Sequence, residues 1–223
     1  MKNFQIKITL TMLLFSFAMT TVVAQDDAVK SATYVKFGFK GGVNFSNMYT
    51  ENVDDSNVLT GFNAGIFAKL PVSTNIAIQP ELYYTTKGSE VVYNNAFASG
   101  TAKFKVNYVE MPVLLVVNLS EVFNFQIGPY VGYLLDGEVT NESSSPIFNF
   151  EDNIDPDEFN KIDAGVAAGI GLDFGTIGIG ARYNYGLTKV GKERTYSGGT
   201  SYIFPDGKNS VLSFYATYTI PVL

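Results

Sequence analysis

The sequence predicts an all-β protein, an eight-stranded antiparallel up-and-down transmembrane barrel of the outer-membrane kind. Three observations predict it. Segments of about ten residues or more alternate with period two, the signature of strands. In these segments large apolar side chains share one face, while glycine and small polar residues fill much of the other. The connections between segments are short and long in turn, as in barrels with tight periplasmic turns and extended external loops.

Ahead of the strands, MKNFQIKITLTMLLFSFAMTTVVAQ places Lys2 and Lys7 before an apolar run from Ile8 to Met19. Val22 and Ala24 then follow at the small-residue spacing of a signal-peptidase site. Residues 1–24 are therefore expected to be a signal peptide. A membrane-anchoring helix is the competing reading, but the run is shorter than the roughly 20 residues that span a bilayer. Residues 25–36 are polar and aperiodic and are read as a periplasmic leader, leaving 37–223 for the barrel domain.

The strands follow in order. Phe37, Phe39, Val43 and Phe45 oppose Gly38, Lys40, Gly42, Asn44 and Ser46. Phe62, Ala64, Ile66 and Leu70 oppose Gly61, Asn63, Gly65, Phe67 and Lys69. Ile76, Ile78, Leu82 and Tyr84 oppose Ala77, Gln79, Glu81, Tyr83 and Thr85. Val109, Met111, Val113, Leu115 and Val117 oppose Tyr108, Glu110, Pro112, Leu114 and Val116. Phe123, Phe125, Ile127, Val131 and Tyr133 oppose Asn124, Gln126, Gly128, Tyr130 and Gly132. Ile162, Val166, Ile170 and Leu172 oppose Asp163, Gly165, Gly169, Gly171 and Asp173. In TIGIGARYNYGLT, Ile177, Ile179, Tyr183 and Leu187 oppose Gly178, Gly180, Arg182, Asn184 and Gly186. Last, Leu212, Phe214, Tyr218 and Ile220 oppose Ser213, Tyr215, Thr217 and Thr219.

Between them, residues 71–74, 118–121 and 175–176 are tight connections, whereas 47–57, 88–102, 137–160 and 189–209 are expected to be long polar loops. Strict alternation puts the short turns and both ends of the barrel on the periplasmic side.

Size decides which face is inside. An eight-stranded barrel has an interior only just large enough for side chains. The rows of Phe, Ile, Leu and Tyr would overfill it, so a soluble lipocalin-type barrel with apolar residues inside is disfavoured. Turned outward in water, the same rows would form an apolar band far beyond the few hundred Å² that a soluble monomer tolerates. Outer-membrane lipid is therefore the expected surrounding, and closure leaves no unpaired edge within it.

Composition narrows the function classes. Charged residues are 16% and aromatics 14%, with 18 Phe, 14 Tyr and no Trp. A net charge of -6 without clustered Lys and Arg argues against a nucleic-acid partner. There is no cysteine, which removes disulfides and thiolate chemistry, and no histidine, which removes imidazole as base or metal ligand. The glycine-rich run 169–186 contains no G-x-G-x-x-G and opens no helix, so it is not a dinucleotide fingerprint. The acidic segment 149–160 lacks the Gly and Glu positions of an EF-hand loop and reads as a solvated loop rather than a calcium site. No catalytic residue, cofactor site or metal site is expected.

Six segments carry a family likeness: FGFKGGVNFSN, IQPELYYTTKG, NYVEMPVLL, IGPYVGYLL, IDAGVAAGIGLDFG and ARYNYGL. In this order and spacing they resemble the PorT-type outer-membrane β-barrel family of Bacteroidetes, over about Phe37 to Leu223. The resemblance implies an eight-stranded outer-membrane barrel, in a family usually of undefined function with some members tied to protein secretion and gliding, and it supplies no catalytic residues to carry over. The terminal YTIPVL departs from the aromatic last residue common in such barrels, so recognition by the assembly machinery is expected to rest on Tyr215, Tyr218 or another feature.

Charges on the small face are the remaining chemistry. Lys40, Lys69, Glu81, Glu110, Asp163, Asp173 and Arg182 all point inward on this reading. A buried charge without a partner is costly, so Arg182 is expected to pair with Glu81 or Glu110, with Lys40 as a further partner. This structural cluster of Lys40, Glu81, Glu110 and Arg182 is set against a proton or ion path through the same residues. Phe45, Tyr84, Tyr133, Tyr185 and Tyr218 are read as girdles at the membrane surfaces. The expected function is that of a non-enzymatic, monomeric cell-envelope protein with a structural or interaction role, contacting envelope or secretion-machinery proteins. A narrow transport or small-ligand-binding barrel is the alternative.

Overall fold

The computed structural model describes residues 34–49, 56–94, 99–143, 149–154, 159–191, 193–195, 201–203 and 207–221. The expected signal peptide and most of the expected leader lie outside these residues, as do the acidic positions 155–158. Eight strands form the wall: β1 (Lys36–Tyr49), β2 (Leu59–Pro71), β3 (Ile76–Asn94), β4 (Ser99–Asn118), β5 (Phe123–Ser143), β6 (Ile162–Phe174), β7 (Ile177–Lys189) and β8 (Lys208–Thr219).

Each strand pairs antiparallel with its neighbours in sequence, and β1 pairs with β8 from Gly38↔Thr219 to Tyr49↔Lys208. The sheet is thus a closed up-and-down ring, so every wall strand is paired on both sides, as a strand in hydrocarbon requires. The short connections are built as tight turns. Val72 and Ser73 donate backbone N–H groups to the Ile76 carbonyl, at 2.8 and 3.0 Å, and Leu119 donates to the Phe123 carbonyl at 2.9 Å. Gly175 opens the β6–β7 turn with φ of 73°, a left-handed conformation that glycine adopts without strain.

Three prolines interrupt the wall in the same way. Pro80 keeps its pairing to β4 but falls in a gap of the β2–β3 ladder. Pro112 is paired to β5 but lies in a gap toward β3, and Pro129 is paired to β6 but lies in a gap toward β4. Each lacks the N–H that one side of its ladder would use.

The facing expected from the alternation holds along all eight strands. Phe39, Phe214 and Ile170 are exposed by 55%, 51% and 48%, whereas Arg182 and Glu81 are each exposed by only 2%. Lipid-facing positions end at a recognisable row. Tyr84, Val109 and Tyr133 are cross-strand neighbours. On the same face the next row is polar, with Thr86 Oγ1 donating to Asn107 Oδ1 at 2.9 Å and Asn107 Nδ2 donating to Asp136 Oδ1 at 2.6 Å.

Two expectations are corrected. Residues 88–102 are not a long loop and 137–160 is not loop throughout: Phe150–Ile154 is a strand paired with β5, β3 continues to Asn94, β4 begins at Ser99 and β5 reaches Ser143. At 19, 20 and 21 residues these strands are about twice the length a tilted strand needs to cross a bilayer. Beyond the polar row they form an external sheet, extended on one side by Phe150–Ile154 and on the other by Ser56–Asn57. The sequence there is polar because water, not lipid, borders the outer face, but the ladder persists because Val106, Phe104 and Val139 still need a covered side. They pack with Met48, Tyr108, Leu134, Phe159 and Val190 into an apolar cluster at the external end of the lumen.

Candidate functional site

The lumen is filled by two connected groups of charges. In the first, β7 brings Arg182 to Glu81 on β3. Arg182 Nη1 donates to Glu81 Oε2 at 2.6 Å and Nη2 to Oε1 at 2.8 Å. This fork-to-carboxylate geometry is the strongest form of the pair. Lys40 on β1 donates to Glu81 Oε2 at 3.0 Å and Gln79 Nε2 to Oε1 at 2.8 Å. Arg182 Nη2 also donates to Gln126 Oε1 at 2.6 Å, which accepts from Tyr215 OH at 3.1 Å as well. Lys40 Nζ lies 4.0 Å from the Tyr215 ring centroid, a cation held over an aromatic face.

The second group centres on Lys87, whose side chain is fully buried. Its ammonium contacts both the Glu110 carboxylate and Asp163 Oδ2, the latter at 2.8 Å. Glu110 Oε1 accepts from Tyr83 OH at 2.5 Å and from Asn184 Nδ2 at 2.7 Å. Asp163 accepts from Asn209 at 3.0 Å and Thr188 at 3.2 Å. Tyr83 links the groups, since its ring also lies 5.3 Å from Lys40 Nζ.

Of the four residues singled out from the sequence, the fold brings Lys40, Glu81 and Arg182 into direct contact. It places Glu110 in the neighbouring group, without contact to Arg182. Glu81 has two cations against one carboxylate, and Lys87 has two carboxylates against one cation, so the six buried charges cancel only as a whole. Lys87 escapes the sequence reading although it shares the inward parity of Glu81 and Tyr83. Asn44, fully buried, adds a neutral knot beside the charges. It donates to Thr85 Oγ1 at 2.8 Å and accepts from Asn63 at 2.6 Å and Ser213 at 2.7 Å.

Glycines make the room. A Cβ on Gly65 would lie 2.2 Å from the Leu82 carbonyl oxygen and 2.3 Å from Tyr83 Cβ, and one on Gly180 2.5 Å from the Tyr215 ring. At the periplasmic end a third pair, Lys69 Nζ to Asp173 Oδ2 at 3.0 Å, borders a small polar cavity of about 40 Å³ lined partly by Gln79, Gln126, Tyr215 and Thr217. Among the described residues no group of three or more Asp or Glu side chains is placed to hold a metal ion.

The family model for the outer membrane protein beta-barrel domain matches residues 23–191. The chain belongs to this family of outer-membrane β-barrels. Its place is the outer membrane of a Gram-negative envelope, and the exposed apolar wall of this barrel domain is its lipid-facing surface. Among solved structures the barrel is similar to Ail of Yersinia pestis, in complex with the heparin analogue sucrose octasulfate. The identity is 15%, with 84% of this chain and 100% of that chain covered, at a TM-score of 0.46. It is also similar to neisserial surface protein A (12% identity, 84% and 100% covered, TM-score 0.49) and to the outer membrane protease OmpT of Escherichia coli (9%, 83% and 95%, TM-score 0.41). No curated protein matches the chain.

Proposed function

We propose that this outer-membrane barrel is a monomeric, non-enzymatic structural or interaction protein of the cell envelope, whose lumen charges hold the wall rather than conduct. The observation that supports this is the filling of the lumen. Three buried cations and three buried carboxylates neutralise one another, and an apolar cluster lies over them at the external end. A conducting path needs ion sites that can be vacated, whereas these carboxylates are bound by several donors each. Interaction is then left to the external sheet of β3, β4 and β5 and to the periplasmic rim. The PorT-type likeness of the sequence motifs supports envelope or secretion-machinery proteins as the partners. Chemical crosslinking in native membranes followed by co-purification tests this. A defined envelope protein crosslinked through the external sheet or the rim is expected. No crosslinked protein, together with steady ion flow, would favour the narrow transport or small-ligand barrel instead.

A further inference from the structure

Lys36 and Lys69 are direct cross-strand partners on β1 and β2 and both line the cavity at the periplasmic mouth. Like charges directly opposite each other in a sheet are destabilising unless something answers them. Lys69 is answered by Asp173, which also accepts from Asn124 Nδ2 at 3.1 Å. Among the described residues Lys36 has no carboxylate within ion-pair distance, and the next carboxylate inward, Glu81, is already held by Arg182, Lys40 and Gln79. The cavity therefore carries a positive surplus. Its walls add the hydroxyls of Thr217 and Thr219 and the second N–H of the Gln79 and Gln126 amides, whose first goes to Glu81 Oε1 and Asn124 Oδ1.

We propose that this mouth is a binding site for one oxyanion, the carboxylate or phosphate group of a small periplasmic molecule. Lys36 and Lys69 supply the charge, and the threonine hydroxyls and glutamine amides supply the remaining bonds. The volume suits the ligand class. At roughly 10–15 Å³ for each water, 40 Å³ holds about three, which is the size of an oxyanion head and far less than a sugar or nucleoside. The rest of such a molecule stays outside in the periplasm.

Isothermal titration of the full-length barrel in a non-ionic detergent, at constant ionic strength, tests the site with inorganic phosphate and with acetate as separate probes. A saturable, one-to-one heat is expected. Binding of phosphate alone assigns a phosphate group, and binding of acetate assigns a carboxylate. Lys36→Gln should weaken binding at least tenfold and Lys36→Arg should restore it. Lys36→Gln should not lower the melting temperature, because the Lys36 side chain makes no bond among the described residues and its loss relieves the repulsion from Lys69. Thr217→Val should weaken binding several-fold by removing one donor. Absence of saturable binding for both probes, or equal affinity in Lys36→Gln, would overturn the proposal.

Discussion

Arg182 on β7 and Glu81 on β3 stand four strands apart in a ring of eight and meet across the lumen through two parallel hydrogen bonds of 2.6 and 2.8 Å. The pair therefore ties opposite walls of the barrel. Removing Arg182 takes away both bidentate bonds and leaves the buried lumen with one more carboxylate than cations, so Arg182→Ala should cost about 3–5 kcal/mol. The temperature at which the compact gel band of the heated barrel converts to the unfolded one should fall accordingly, and an unchanged conversion temperature would sink the pairing. Replacing Arg182 and Glu81 together with Met and Leu should cost less than Arg182→Ala alone, because two buried cations and two buried carboxylates then remain.

Lys87 makes the companion case. Between Glu110 and Asp163 it is the cation nearest to both carboxylates. Lys87→Met should destabilise the barrel about as much as Arg182→Ala, and adding Glu110→Gln should restore part of the loss. Urea unfolding of the two single variants and the double variant measures this coupling, expected at 0.5–3 kcal/mol for contacting residues on the order-of-magnitude scale of such cycles. Strict additivity would contradict it.

How far the sequence reaches is visible at these same residues. Period two was enough to assign which face meets lipid, because a one-residue slip would exchange the two faces of a strand. Which inward charges touch is a different matter. It depends on the height of each residue after the stagger of the ring, and alternation within a strand carries no information about height. That is why Glu81 and Glu110 are equal candidates for Arg182 in the sequence, and why nothing in it points to the partner of Asp163. Lys87 is hidden in the sequence for another reason. Gly88 and Ser89 follow it, and outside the bilayer the apolar contrast between faces fades, so a continuing strand reads as a polar loop.

The inward glycines separate into those that a side chain would crowd and those it would not. Gly65→Ala should cost about 1–3 kcal/mol through overpacking against the Leu82 and Tyr83 backbone. For Gly132 the nearest atom to an added Cβ is 3.5 Å away, in the Tyr108 ring, so Gly132→Ala should change stability by no more than about 0.5 kcal/mol. Folding yields into detergent or lipid vesicles, followed by urea titration, compare the two; equal effects would contradict the close approach at Gly65.

The central claim is that neutralised charges and an external apolar cluster close the lumen. Single-channel recording of the purified barrel in planar lipid bilayers addresses it most directly. Wild-type protein should give no steady conductance above the bare membrane, while a variant carrying both Arg182→Ala and Phe159→Ala should admit transient currents. Steady, reproducible ion flow through the wild-type monomer would contradict the account.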